Sequence, residues 1–201
     1  MGPISDESFL ILIDFMEGYV KLGVKFKLAL RSVLHETSYK KGARILSSGS
    51  VQHNIWFLLD GLAREIRVHP DTFEENTVWF WFSGSFLFST PGLFNRVPSE
   101  STIELLEDCR VVLISYQDWA RLKEVFGENE LVTEKIRGGY DSVRQQLGDD
   151  IRNLSTDQRY LKHEPVLDNL FGRTQLRYVA EYMGMSPDRL GRLRRKYNNG
   201  A

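Results

Sequence analysis

Residues 175–196 read QLRYVAEYMGMSPDRLGRLRRK, and local chemistry divides this stretch into two short helices around a turn. Leu176, Val179, Ala180 and Met183 recur at helical spacing along one side of a first helix. Gly184 supplies the left-handed residue that a tight corner between helices needs. Ser186 is a good N-cap and Pro187 suits the first helical position, so a second helix starts there. Leu190, Leu193 and Tyr197 form its buried stripe. Ala180, four residues before the glycine, is small enough to let the two helices cross closely.

The outward face of the second helix carries the chemistry. At about 100° per residue, Asp188, Arg192 and Arg195 point away from Leu190 and Leu193, with Arg189 and Lys196 at the flanks. Glycine, small residue and apolar positions all fall where a DNA-binding helix–turn–helix requires them. In a major groove, Arg192 is placed to bond guanine O6 and N7, and Asp188 to accept from cytosine N4 or to hold Arg192. Arg173, Arg177, Arg189 and Lys196 are expected to neutralise phosphates, with the capping Ser186 at the helix start close to the backbone. The same charge also suits a basic helix that merely covers a core.

Charge is distributed to match. The 201-residue chain carries a formal −1, but residues 172–201 hold seven cations against Glu181 and Asp188, a net +5 that leaves −6 on residues 1–171. A basic end on an acidic body is the asymmetry of an appended nucleic-acid-binding module.

Upstream, Val132, Ile136, Gly139, Val143 and Leu147 recur at steps of four or three residues within polar flanks. Such a thin a/d seam suits a two-stranded coiled coil and hence a homodimer, with Gly138 and Gly139 allowing close backbone approach. An amphipathic helix packed on its own domain fits the same spacing. From Lys41 to Ser115 the pattern is that of strands, with runs Ala43–Leu46, Ile55–Leu59, Leu62–Val68, Asn76–Phe82, Ser101–Leu106 and Arg110–Ser115 separated by turn signals such as Asp60-Gly61 and Thr90-Pro91-Gly92. Many short strands at this spacing predict an antiparallel sandwich or barrel. Residues 5–35 read as helical, with a break near Gly18 to Gly23.

The lone Cys109 excludes a disulfide framework and any four-cysteine zinc or iron–sulfur site in one chain, and its strand-like setting reads as a buried small hydrophobe. The apolar runs are too short for a transmembrane helix, and Met1-Gly2-Pro3 lacks signal-peptide character. These features predict a cytoplasmic protein without membrane attachment. No HExxH, P-loop, GxSxG or cysteine–histidine constellation occurs, so neither a catalytic residue nor a metal site is expected.

Gly49, then Ile55-Trp56-Phe57-Leu58-Leu59-Asp60-Gly61, Gly84-Ser85-Phe86-Leu87 and Val111-Val112-Leu113-Ile114-Ser115 stand in an order that resembles the sensor domain of Crp/Fnr-type transcriptional regulators. The ending, with Arg159-Tyr160, Tyr178-Val179-Ala180, Met183-Gly184-Met185 and Leu190-Gly191-Arg192-Leu193-Arg194, resembles the branch of that family common in Bacteroidetes. The resemblance implies an α+β chain: a cyclic-nucleotide-binding-type β jelly roll with flanking helices over 1–127, a dimerisation helix over 128–154, and a helix–turn–helix domain over 155–201. It implies double-stranded DNA and a second copy as partners, and RNA polymerase for an activator.

Cyclic-AMP-binding members carry a Glu for the ribose and, ten residues later, an Arg for the phosphate. Those positions match Ser89 and Ser99 here, with Glu100 next to the latter. Without the bidentate Arg a buried phosphate loses its strongest contact, so usual cyclic AMP binding is not expected and no cofactor is evident. Residues Phe86, Leu87, Ser89, Ser99, Glu100 and Ser101 would line such a pocket, while Phe80, Phe82, Phe86 and Phe88 suit core at least as well. Longer members continue into a β-hairpin after the recognition helix, which the four residues beyond Tyr197 cannot form. A ligand-sensing signalling module with a vestigial DNA-binding end is the alternative function.

Overall fold

The structure is a computed structural model describing residues 1–198; residues 199–201, the end of the expected C-terminal domain, lie outside the described residues. The chain runs β1 (Gly2–Pro3), α1 (Asp6–Glu17), α2 (Val24–Val33), β2 (His35–Tyr39), β3 (Arg44–Leu46), β4 (Asn54–Asp60), β5 (Leu62–Val68), β6 (Glu75–Phe82) and β7 (Ser85–Leu87). It continues through α3 (Gly92–Asn95), β8 (Ser101–Leu105), β9 (Cys109–Ser115), α4 (Tyr116–Val125), α5 (Gly127–Asn153), α6 (Thr156–Leu170), α7 (Leu176–Tyr182) and α8 (Pro187–Asn198). Among the described residues no helix is long and apolar enough to cross a membrane.

The strands form two antiparallel sheets, ordered β1-β2-β9-β4-β7 and β3-β8-β5-β6. Alternate residues of β4 and β9 serve two different cores. Trp56, Leu58, Val111 and Leu113 turn toward the second sheet and pack with Leu62, Ile103 and Leu105. Ile55, Phe57, Leu59, Val112 and Ile114 turn outward onto α1, α2, α4 and α5. Burial on both faces explains why these strands read as continuous apolar runs, where a half-exposed strand would alternate.

The helices begin where side chains satisfy their free amides. Ser5 Oγ accepts from the Ser8 N–H at 3.2 Å, and Ser115 Oγ from the Asp118 N–H at 3.0 Å. Ser155 and Gln158 form a reciprocal capping box at the start of α6. The break expected after α1 is present, but the helical reading of 5–35 overruns its end: His35 starts β2, which pairs with β9 along His35–Tyr39. Polar HETSY masks that strand, because none of its five residues is buried. Cys109 opens β9, fully enclosed, and burial pushes its thiol up.

The C-terminal helices do not stand apart. Helix α7 packs along β6, where Tyr182 meets Trp79 and Phe80 edge-on at 5.9 and 5.3 Å between centroids. The Thr77 N–H of β6 donates to Glu181 Oε2 at 2.8 Å, so the helix caps an edge strand whose backbone groups would otherwise be free.

Candidate functional site

Two regions hold the residues singled out from the sequence, the face of α8 and the sensor end of the sheets. At the first, Gly184 stands between α7 and α8 with φ of +59°, and a Cβ there would come within 3.0 Å of Ile151 on α5. Arg159, itself buried, donates to the carbonyls of Ile151 and Gly184 at 2.8 and 3.1 Å and fixes this corner to α5. Ser186 Oγ accepts from the Arg189 N–H at 3.2 Å, the capping role expected of it. Val179, Ala180, Met183, Leu190 and Leu193 close the small core beneath.

The basic residues then divide into two sets. Arg189 and Lys196 both pair with Asp157 on α6, Lys196 at 2.8 Å, and the Tyr197 hydroxyl reaches the same carboxylate at 3.2 Å. The Lys196 ammonium holds the Asp157 carboxyl below its ordinary range, and Asp157 in turn raises Lys196. These two cations anchor α8 to α6. Asp188, Arg192 and Arg195 are exposed and have no ion pair or hydrogen bond within the described residues, while Arg194 lies over the Phe171 ring at 4.4 Å. With Pro187 and Gly191 they border a shallow groove open to solvent.

Arg173 and Arg177 are placed differently from expectation. Arg173 faces the sheet domain, donating to both carboxylate oxygens of Glu107 at 2.9 and 2.8 Å and to the Gly61 carbonyl at 3.2 Å. That guanidinium holds the Glu107 carboxyl down. Arg177 pairs with Glu181 at 3.3 Å one turn along α7. Arg64, buried beneath α7, stacks on Tyr178 with its guanidinium carbon 3.5 Å from the ring centroid and pairs with Glu104 at 2.6 Å. Burial beside β6 pushes the Tyr182 hydroxyl up to about 12. Nothing in sequence spacing marks this docking, because Arg173 and Glu107 are far apart along the chain.

The seam proposed along α5 is not one continuous surface. Val132, Ile136 and Leu147 are buried inside their own chain, against the outer face of the first sheet or beside α6 and the C-terminal core. Gly139 and Val143 are exposed, as are Leu131 and Gly138. One helix therefore serves its own core with part of the stripe and leaves the other part uncovered.

At the sensor end, Phe86 and Leu87 point to opposite cores: Phe86 packs on Phe57 and Phe15 outside, Leu87 lies inside between the sheets. Ser89 is buried beside Gly92, where a Cβ would approach its Oγ to 2.5 Å. Ser99 Oγ donates to the Ser101 carbonyl at 2.7 Å, and Ser101 Oγ donates to Glu65 Oε1 at 2.6 Å. Glu65, inaccessible to solvent, accepts from Arg144 of α5 at 2.6 Å, and the Arg144 guanidinium lies 4.8 and 5.6 Å from the Trp79 and Trp81 rings. Glu100 points to solvent, 3.6 Å from Arg67.

The buried charge here is thus a carboxylate, and the cation nearest it is already paired. Sequence reasoning missed Glu65 and Arg144, which lie on separate elements. These residues do not fit the phosphate of a cyclic nucleotide, which needs an uncommitted cation and no buried anion. Among the described residues no cluster of three or more His, Cys, Asp or Glu could hold a metal.

Comparison with known proteins bears on both regions. Residues 36–126 match the family model described as the cyclic nucleotide-binding domain. The potassium channel SKOR of Arabidopsis thaliana is 26% identical over 121 residues, 59% of this chain but only 14% of the channel's length. FixK2 of Bradyrhizobium japonicum superposes with a TM-score of 0.73 at 14% identity, covering 83% of this chain and 85% of that one. A putative Crp/Fnr-family regulator of Eubacterium rectale gives 0.68 at 16% identity over 92% and 88%. The c-di-GMP-responsive regulator CLP of Xanthomonas campestris gives 0.62 at 16% over 88% and 92%. Residues 36–126 are therefore similar to a cyclic nucleotide-binding domain, and the fold around them is similar to that of Crp/Fnr-type regulators.

Proposed function

We propose that the chain is a homodimeric, sequence-specific double-stranded DNA-binding transcriptional regulator. The observation that carries this reading is the face of α8. Asp188, Arg192 and Arg195 project unpaired from a helix whose opposite side is locked by Leu190, Leu193 and the Asp157 contacts. Arg192 and Asp188 read base edges and Arg195 lies against the backbone, while Arg189 and Lys196 hold the helix in place. The exposed side of α5, with Leu131, Gly138, Gly139 and Val143, meets the same helix of a second copy. Two α8 helices then enter successive major grooves about 34 Å apart on a roughly palindromic site. Residues 1–127 act as the sensor part without binding cyclic AMP in the usual way, 128–154 as the dimer helix, and the remainder as the DNA-binding part.

Selection from randomised duplex DNA at several salt concentrations tests this. The expected result is a symmetric site bound less tightly as salt rises. Arg192→Ala costs about 1–3 kcal/mol and relaxes preference at one base position per half-site. No enrichment even at low salt would refute the reading and favour a signalling module whose C-terminal helices serve only to dock on β6. The Arg173–Glu107 pair is the observation on that side.

A further inference from the structure

Helices α1 and α2 divide charge between them. Helix α1 carries four acids, Asp6, Glu7, Asp14 and Glu17, and no base, while α2 carries Lys25, Lys27 and Arg31 and no acid. Two ion pairs close between the helices. Asp6 meets Arg31, and Glu17 meets Lys27 at 2.7 Å, so the helices are stitched side by side. Their inner sides are buried, with Leu12, Ile13 and Met16 of α1 and Phe26 and Leu30 of α2 in the outer core.

The outer side carries aliphatic groups in the open. Leu10 lies one turn from Asp6 and two turns from Glu17, and Val24 and Leu28 lie one turn apart beside Lys27 and Arg31. Leu10, Val24 and Leu28, on either side of the ion-pair seam, are 61, 73 and 66% exposed. Single exposed aliphatics are ordinary, but three on one helix pair form a patch of the kind that marks an interface. Further out lie charges that the seam does not use. At about 100° per residue, Glu7 and Asp14 fall beyond Leu10 on the side away from α2, and Lys25 falls beyond Leu28 on the side away from α1. All three are exposed, and among the described residues none of their side chains has an ion pair or hydrogen bond. Across the face the order is therefore acid, Leu10, closed pairs, Val24 and Leu28, base.

That order decides the occupant. A partner of one charge sign would be drawn to one helix and repelled by the other. The same face turned by half a revolution about an axis along the seam sets base over acid, and Leu10 over Val24 and Leu28. Such self-complementarity is what an isologous contact requires. We propose that the outer face of α1 and α2 binds the same face of a second copy, with Glu7 and Asp14 of each chain against Lys25 of the other. No residue of this face lies on α5 or α8, so the contact is independent of the dimer helix and of DNA binding.

The test is sedimentation velocity of the full chain over a concentration series, with a parallel set carrying Val143→Glu to suppress pairing through α5. In that set the expected behaviour is an equilibrium between one and two chains. Val24→Gln with Leu28→Gln removes the aliphatic centre while keeping the helix, and should weaken association about tenfold or more. Glu7→Lys with Asp14→Lys, and separately Lys25→Glu, should each weaken it about as much, because like charges then face each other. An equal mixture of these two charge variants should regain the parent's association, since acid and base have changed places between chains. The substituted residues are all exposed, and thermal melts matching the parent show that the variants fold. A single-chain species up to about 1 mM overturns the proposal and leaves the face to a different protein. Association that survives loss of the aliphatic centre overturns it too, as do charge variants that fail to recover on mixing. Equal association with and without Val143→Glu counts against the α5 reading and not against this one.

Discussion

Replacing Arg144 by methionine tests the buried pair that fastens α5 to the sheets. The substitution preserves most of the aliphatic bulk between Trp79 and Trp81 but removes the cation that meets Glu65 at 2.6 Å. Glu65 is wholly enclosed and then keeps the Ser101 hydroxyl as a hydrogen-bond donor and the half-exposed Arg67 guanidinium at 3.9 Å. Breaking a buried pair by removing one partner costs about 3–5 kcal/mol, because the remaining charge is stranded without water. Arg144 is about one-quarter exposed, so the lower end of that range applies. For a chain of this length about 3 kcal/mol lowers the melting temperature by roughly 6–12 °C. Thermal melts of Arg144→Met and of the double variant with Glu65→Leu form the assay. The double variant should recover most of the loss, since two apolar side chains replace the pair and strand nothing. Equal melting temperatures for the single and double variants would show that Arg144 acts through packing on the tryptophans and not through charge.

Gly61 sits at φ +120° with Cys109 Sγ 2.3 Å from where its Cβ would be, so Gly61→Ala should cost more than the roughly 1–2 kcal/mol of left-handed strain expected for Gly184→Ala. Adding Cys109→Ala removes the Sγ collision and should restore part, though not all, of the Gly61→Ala loss in a denaturant titration. Asp150 is held down to about 2, foremost by the Lys162 ammonium and also by Gln146 and His163. A depressed carboxyl contributes stability that is present above its unfolded value near 4 and lost as pH falls toward 2. Asp150→Asn should accordingly be less stable than the parent at pH 7 and converge with it in melts near pH 2. Glu107→Gln weakens the bidentate contact of Arg173, and limited proteolysis between α6 and α7 should speed up if that contact keeps α7 on β6.

The residues that were readable in advance are those whose neighbours are close in the chain. The stripe of Leu190 and Leu193, the cap at Ser186 and the turn at Gly184 depend on contacts within a few residues, and spacing alone reveals them. The long helix α5 was legible as a helix, but its partners were not, because Val132 and Val143 share one stripe yet one packs on the sheet and the other faces solvent. Helix α6 is less legible as one helix, because Pro165 within it removes a backbone donor and is disfavoured in a helix interior. The docking of α7 on β6 joins residues about a hundred positions apart, and polar side chains such as Glu181 and Thr77 give no periodic sign of meeting.

Asp157 has a consequence for ionic-strength dependence. Counting sequence charge, the seven cations beyond Gly172 suggest seven phosphate contacts per chain. Arg189 and Lys196 already share the Asp157 carboxylate, Arg173 has Glu107 and Arg177 has Glu181, which, with Arg192 on a base edge, leaves Arg194 and Arg195 to displace counterions from phosphates. On the proposed dimer, the logarithm of the DNA association constant should fall against the logarithm of salt with a slope of about −4, whereas seven contacts per chain would give about −13. Asp157→Asn, by releasing two cations to the solvent, should steepen that slope even as it loosens the helix that carries them.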